Sequence, residues 1–286
     1  MSLISTNILI AIANIIDNPI VEIKNIYTNK NRANSTGDAL ETYIKDCFAN
    51  TIKQEKGDNL EKQYSKYFSY IGNTNNPPDF ILKKGDAIEI KKIEVATSNL
   101  ALNSSYPKDK LYASDTKITN SCRNCEEEFG GWKEKDILYA VGNVKNNNLK
   151  NLWFVYGSLY AANKDTYEKA ANKIIYGIEQ IKDIELTETN ELAKINKVDP
   201  LGITYLRFRG MWGIKNPATV FSNIILPKSE SLFNLTALIP LEKYESFPEN
   251  DKLRLENSKA YLKNVEVQNP NNPAKFIKAK MISYSI

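Results

Sequence analysis

Residues 76–91 read NPPDFILKKGDAIEIK, and this stretch predicts a β-hairpin around which the rest of the fold is built. Two prolines force an extended backbone into a first strand over 79–82. A three-residue turn, 83–85, ends in glycine, which suits the left-handed conformation that often closes such a turn. The returning strand is predicted over 86–94.

The length of the turn fixes the register of this hairpin. Leu82 is expected opposite Asp86, and Asp79 opposite Glu89, with Cβ atoms about 4.5–5.5 Å apart. Lys91 lies two residues beyond Glu89 and therefore on the same face. The opposite, apolar face takes Phe80, Leu82, Ile88 and Ile90.

Two carboxylates and a lysine on one face are the groups that phosphodiester hydrolysis needs. Mg²⁺ prefers oxygen ligands and usually takes one or two carboxylates from protein, and a metal ion can supply hydroxide near neutral pH. Asp79 and Glu89 are the candidate catalytic acids and Mg²⁺ ligands, and Lys91 would orient the water or neutralise phosphate charge. The alternative interpretation is the ordinary solvated face of a surface hairpin.

The composition of the chain excludes several kinds of catalytic and metal site. The chain has 286 residues, enough for one domain with a sizeable core, and no histidine, which excludes histidine-based triads and zinc sites. A net charge of +4 permits a polyanionic partner without requiring one. Three cysteines suggest a reducing compartment, and Cys122 and Cys125 lack the further ligands for a four-ligand zinc site.

The N-terminal segment does not read as a targeting signal. Residues 1–16 carry no charged side chain, and the apolar run 8–13 is too short to span a membrane. Apolar residues at helical spacing predict a packed or dimer-forming helix that ends near Asp17. We therefore expect a cytoplasmic protein with no membrane partner.

The remaining pattern predicts an α/β domain around a mixed sheet, without an internal linker. A second helix is expected to begin at Asp38 as N-cap, with Glu41 as capping-box partner. The other predictions are a loop over 97–114, a helix over 115–128, strands over 137–144 and 152–156, and a helix over 165–182.

Several stretches together resemble the NgoPII-type restriction endonucleases of the PD-(D/E)xK nuclease superfamily. They cover roughly residues 10–215 and are NRAN at 31–34, GDALE at 37–41, NPPD at 76–79, GDAIEIKKIE at 85–94, LALNSS at 100–105, KDILYAVG at 135–142, VDPL at 198–201, TYLR at 204–207 and RGMWGI at 209–214.

The resemblance implies a restriction-endonuclease-like core, with a mixed central sheet flanked by helices, in one domain over 1–286. The catalytic core would cover about 35–160 and the DNA-recognition elements about 195–225. The implied activity is a dimeric, Mg²⁺-dependent type II restriction endonuclease that cleaves double-stranded DNA within GGCC. A partner methyltransferase would protect the host's sites.

The motif residues of the superfamily match Asp79, Glu89 and Lys91. The nine-residue gap between the two acids is short for the superfamily, so Asp86 stays a second candidate for the first acid. Similar nucleases often supply a further acid from the first core helix, which would be Glu41; helix capping is the alternative.

The candidate DNA-reading residues are Arg207, Arg209 and Trp212, in the segment RFRGMWG. Two arginines on one face of a strand would suit a GG-containing site, because arginine bonds guanine O6 and N7 in bidentate fashion. Phosphate contact or a surface ion pair is the alternative. Arg32 and Asn34 are also expected to touch DNA, unless they only form the loop before a helix.

Charge elsewhere suggests how DNA would be positioned. Lys108 and Lys110 are expected to grip the phosphate backbone, which positions a protein without specifying sequence. The acidic run 126–128 would repel DNA and is expected to be a solvated helix end away from the cleft.

Three other functions remain open: a repair or recombination nuclease of the same fold, a DNA-binding protein that does not cleave, and an interaction domain. A binding protein has no need to gather two carboxylates near phosphates, which argues against the second. No glycine-rich cofactor loop follows a strand, which disfavours a methyltransferase.

Overall fold

The computed structural model describes residues 5–23, 27, 36–52, 58–73, 76–181, 185–187, 192–196, 198–226 and 230–286. The helices are α1 (Ile8–Asp17), α2 (Thr36–Ala49), α3 (Asp58–Tyr67), α4 (Asn120–Asn124), α5 (Gly157–Tyr160), α6 (Lys164–Glu179), α7 (Pro217–Val220), α8 (Leu241–Ser246) and α9 (Glu249–Glu256). A 3-10 turn covers Glu127–Phe129.

The strands are β1 (Phe68–Asn73), β2 (Asn76–Leu82), β3 (Ala87–Ile93), β4 (Leu100–Asn103), β5 (Lys110–Tyr112), β6 (Glu134–Lys145), β7 (Asn148–Tyr156), β8 (Glu185–Thr187), β9 (Ala193–Asn196), β10 (Leu206–Phe208), β11 (Trp212–Ile214), β12 (Asn234–Pro240), β13 (Tyr261–Asn269) and β14 (Asn272–Ser285).

The main sheet has the strand order β1-β2-β3-β6-β7-β12-β14-β13, with β5 paired to β6. It is mixed, because β3 pairs with β6 and β7 with β12 in parallel while the other neighbours are antiparallel. Two small sheets, β10-β9-β8 and β11-β4, stand apart from it. The predicted α/β class with a mixed central sheet flanked by helices is confirmed.

Both faces of the sheet are covered, which explains why its central strands are almost continuously apolar. Helices α1 and α2 contribute to the core on one face, together with Phe80, Leu82 and Ile88. Ile81 and Ala87 point into a second core on the other face. The predicted separation of apolar and acidic faces in the hairpin is therefore confirmed for the apolar side.

The predicted hairpin register is confirmed. Phe80 pairs with Ile88 and Ile81 with Ala87, and the amide of Leu82 donates to the carbonyl of Asp86 at 2.9 Å. Gly85 does not adopt the expected left-handed conformation, and it is required instead for a close approach to Leu82. Lys84 adopts the positive φ of 53°, whereas a Cβ on Gly85 would lie only 2.9 Å from Leu82 Cβ.

Helix α1 is packed into the core and ends at Asp17, as predicted. Asn7 caps it by accepting from the amides of Leu9 and Ile10 at 2.9 and 3.2 Å. The helix contacts α2 and α9, and all of its aliphatic side chains except that of Ile10 are buried. Within the described ranges, no helix combines the length and apolarity needed to cross a membrane.

Three local predictions were wrong. Helix α2 begins at Thr36, so Asp38 lies in its first turn and is not its N-cap. The helix predicted over 115–128 is only α4 and the 3-10 turn, because Thr119 caps α4 and Gly130 reverses the chain at φ 93°. The loop predicted over 97–114 contains β4 and β5, which pair with β11 and β6; such long-range partners are invisible in local sequence.

Candidate active site

A cleft of about 730 Å³ opens beside the hairpin. The three motif residues Asp79, Glu89 and Lys91 line it, together with the loop 102–106. Arg207 and the segment 209–211 also line it, although they lie more than a hundred residues further along the chain. The fold therefore brings the predicted catalytic group and two predicted DNA-reading arginines to one cavity.

The two acids hold fixed positions in the cleft. An oxygen of Asp79, Oδ2, accepts a hydrogen bond of 2.5 Å from the amide of Ile90. Glu89 is buried, and its Oε1 accepts from the ammonium of Lys91 at 2.5 Å. The other oxygen of Glu89, Oε2, is buried without a hydrogen-bond partner among the described residues. A buried acceptor of this kind is costly unless something else satisfies it.

The protonation of the site reflects crowded negative charge. Burial raises the pKa of Asp79 to about 8, and the neighbouring charge of Glu89 adds to this effect, while Lys91 and the Ile90 amide oppose it. Burial alone would lower the pKa of Lys91, but the charges of Glu89, Asp79 and Glu41 outweigh it and raise that pKa. Lys91 therefore stays charged. Its single positive charge does not balance two ionised carboxylates at Asp79 and Glu89.

These donors fit a hard divalent cation. A cation beside the unpartnered Glu89 oxygen would satisfy that oxygen and favour ionised Asp79. Among the described residues, no group of three acidic or cysteine side chains converges. The site thus offers a metal two carboxylates, a number that Mg²⁺ commonly takes from protein.

Glu41, on helix α2, lies near Asp79 and Glu89. Its charge raises the pKa of both Asp79 and Lys91. Its side chain is bonded to Lys45, one turn along the helix, at 2.5 Å. A third carboxylate role for Glu41 remains a prediction.

A buried ion pair between Glu126 and Lys135 stabilises one side of the turn between β2 and β3. Glu126 accepts from the amide of Lys84 at 2.7 Å and pairs with Lys135 at 2.8 Å. Lys135 also donates to the carbonyl of Gly85 at 2.9 Å. The expectation of a solvated acidic run was wrong at Glu126, which is 3% exposed.

A second group of charges holds the other side of the turn. The ammonium of Lys243 lies 2.6 Å from Asp86 and 2.7 Å from Asp136, and the hydroxyl of Tyr156 donates to Asp86 at 2.6 Å. Asp86, the second candidate for the first acid, is thus engaged at the turn and does not line the cleft. Sequence reasoning missed Lys243, and no local signal could reveal a partner so distant along the chain.

The predicted DNA-reading residues occupy different places. Arg207 lies in β10 and Arg209 directly follows it, and both line the cleft. Trp212 does not line the cleft; its ring packs edge-on against Tyr106 and Tyr167, with centroids 6.2 and 5.6 Å away. Sequence reasoning missed this aromatic cluster, which joins Trp212 to Tyr106 in the lining of the cleft. Arg32 and Asn34 lie outside the described residues.

The two predicted backbone-gripping lysines are both engaged in ion pairs. Lys108 lines the cleft, but its side chain is buried and its ammonium pairs with Asp115. Lys110 pairs with Glu134 at 2.5 Å, outside the residues that line the cleft. Phosphate contact by either lysine remains a prediction and would require exchange of these partners.

Comparison with known proteins gives two matches. The family model described as NgoPII restriction endonuclease matches residues 6–271. The type II restriction enzyme NgoPII of Neisseria gonorrhoeae is 46% identical over 282 residues, which is 98% of this chain and 100% of that protein. No solved structure matches the chain at a significant level.

Proposed function

Since the chain belongs to the NgoPII restriction endonuclease family and is a type II restriction endonuclease, we propose that it hydrolyses double-stranded DNA at GGCC with Mg²⁺ held by Asp79 and Glu89. One observation carries this proposal: Glu89, which lines the cleft with Asp79 and two arginines, has a buried oxygen without a hydrogen-bond partner among the described residues. The GGCC site is taken from the family resemblance.

Residues around the cleft would have separate roles in the hydrolysis. Asp79 and Glu89 would hold Mg²⁺, which would supply Lewis acidity toward the scissile phosphate and a water of lowered pKa. The Ile90 amide orients Asp79, and Glu89 orients the Lys91 ammonium through their hydrogen bond. Lys91 is placed to neutralise charge that develops on the phosphate.

DNA recognition is assigned to the segment of about 195–225 and catalysis to about 35–160, within one domain over 1–286. Arg207 and Arg209 would read guanine from the wall of the cleft. The proposal includes a two-fold homodimer, because one active site per chain must cut both strands of a palindrome. It also includes a methyltransferase that protects host sites, and a cytoplasmic location, with which three free cysteines agree.

Digestion of unmethylated phage DNA tests the proposal. Purified protein with Mg²⁺ is expected to give discrete bands whose ends map to GGCC, and EDTA should abolish them. Discrete bands that end at another sequence would reject GGCC alone. A smear would favour the repair-type nuclease of the same fold, and retained binding without any cleavage would reject metal-dependent hydrolysis.

Removal of either cleft arginine is expected to reduce discrimination between GGCC and single-mismatch sites. A bidentate arginine–guanine contact contributes about 1–3 kcal/mol to discrimination, so Arg207→Ala or Arg209→Ala should lower the cleavage preference by roughly 5- to 150-fold. Relative kcat/KM on matched duplexes measures this.

Lys145→Ala is the control for this experiment, because it also removes one positive charge, and Lys145 is exposed and lies outside the cleft lining. If an arginine variant weakens cleavage of every sequence by the same factor, that arginine contacts phosphate and does not read bases.

A further inference from the structure

The loop 198–205 joins β9 to β10 and exposes large aliphatic side chains at its tip. Leu201 is 82% exposed and Ile203 74% exposed, and Val198 and Tyr205 on either side are more than half exposed. Single exposed apolar residues are common on protein surfaces. A group of them on one projecting loop is characteristic of a binding surface.

This tip is held in one shape by its own hydrogen bonds. The carboxylate of Asp199 accepts from the amides of Leu201, Ile203 and Thr204 at 3.0, 3.3 and 2.6 Å, and from the Thr204 hydroxyl at 2.6 Å. Gly202 supplies the positive φ of 67° that the turn requires. The aliphatic side chains are therefore presented on a preorganised loop, which lowers the entropy cost of binding.

The tip is continuous with a basic face that reaches the cleft. Arg207 lines the cleft, and Lys194 stands directly opposite it on β9, so the two side chains share one face. Tyr205 lies two residues before Arg207 on that same face, and its ring centroid is 4.9 Å from the Lys194 ammonium. Such a face suits a polyanion better than a second copy of the chain, which would bring the same cations against it.

We propose that Leu201 and Ile203 form a wedge that inserts between base pairs of the bound DNA and unstacks them. This inference rests on the proposed function, because it takes the DNA to lie in the cleft. Leucine and isoleucine are among the residues that proteins insert between base steps, where they kink the duplex and allow it to contact more protein surface.

The position of the wedge is limited by the length of chain between the tip of loop 198–205 and Arg207. Leu201, the more distant of the two wedge residues, precedes Arg207 by six residues, and extended chain covers about 3.3 Å per residue. The tip thus reaches no more than roughly 20 Å from Arg207, or about six base pairs at 3.4 Å each. The unstacked step is expected within about six base pairs of the base that Arg207 contacts.

Fluorescence of 2-aminopurine, placed at successive positions in and beside the mapped cleavage site, tests the wedge. Ca²⁺ replaces Mg²⁺ in order to keep the bound DNA uncut. Ca²⁺ binds carboxylates without the octahedral geometry of Mg²⁺. The wild-type chain should raise the fluorescence at one step. The Leu201→Ser/Ile203→Ser variant should lose most of that rise and bind about tenfold more weakly. Leu201→Met/Ile203→Met, which keeps an apolar wedge, should retain both.

Leu226→Ser is the matched control, since Leu226 is 78% exposed and does not line the cleft. An equal fluorescence rise in the wild type and the double serine variant would overturn the wedge while leaving the proposed function intact. Loss of a wild-type dimer in the double serine variant, seen by gel filtration, would overturn it in favour of a contact between copies. A wild-type chain that neither binds nor cuts DNA would overturn the proposed function and the wedge together.

Discussion

Glu89→Gln is expected to abolish DNA cleavage while raising the melting temperature of the metal-free protein. Loss of a residue that only orients a metal ligand typically costs 10- to 100-fold in activity. Glu89 is proposed as a ligand itself, so the loss should exceed about a hundredfold. The change keeps the shape of the side chain and removes the charge.

The gain in stability follows from the crowding of the two acids. In the metal-free site, Glu89 adds negative charge beside buried Asp79, and one of its oxygens has no hydrogen-bond partner in the part of the chain that the structure describes. A neutral amide relieves the repulsion and lets Asp79 ionise beside Lys91. A gain of about 1 kcal/mol corresponds to a rise of about 2–4 °C in the melting temperature of a protein of this size class.

The pH dependence of stability supplies an independent check of the same variant. The pKa of Asp79 is about 8 in the folded chain, well above the 3.8 of a free aspartate. The folded state therefore binds this proton more tightly than the unfolded state, and the free energy of unfolding falls as pH rises between these values. Glu89→Gln should make this fall shallower. Mg²⁺ should stabilise the wild type at pH 8 and the variant much less.

Glu94→Gln is the control for this experiment. It removes one negative charge just beyond β3, but Glu94 is exposed and pairs with Lys92 at the surface. Calorimetric scans at pH 5 and pH 8, with and without Mg²⁺, together with cleavage rates, measure the effect. A Glu89→Gln variant that melts like the wild type at both pH values would show that the two acids do not repel each other.

Much of the β2-β3 hairpin could be predicted from sequence because its determinants are local. The turn length and the alternation of side chains together predict the register that pairs Ile81 with Ala87. Apolar residues at helical spacing along α2, including Leu40 and Cys47, are buried, and the helix itself was predicted. In that case helical spacing alone was enough, because the helix packs one face against the sheet.

Other parts of the site depend on partners far apart in sequence. A run of three acids resembles a solvated helix end, and only the folded chain brings Glu126 to a turn 42 residues earlier. Lys243 reaches Asp86 across 157 residues. The strands β12, β13 and β14, which complete the central sheet, could not be ordered from their sequence, since their positions are set by pairing and not by local pattern.

Lys135→Met is expected to destabilise the protein by about 3–5 kcal/mol. Its side chain and that of Glu126 are 6% and 5% exposed, so the variant would leave Glu126 as a buried charge without its partner. Removing one partner of a buried ion pair typically costs this much, because the remaining charge stays desolvated. The variant also loses the hydrogen bond to the Gly85 carbonyl at the hairpin turn.

Lys133→Met is the matched control, because Lys133 lies two residues earlier and is exposed. Its effect should stay within about 0.5 kcal/mol. Urea unfolding at neutral pH measures both, and the double variant Lys135→Met/Glu126→Gln should recover part of the lost stability because it removes the buried charge. A Lys135→Met variant as stable as Lys133→Met would mean that water or a rearranged partner neutralises Glu126, and that the turn between β2 and β3 is held without this ion pair.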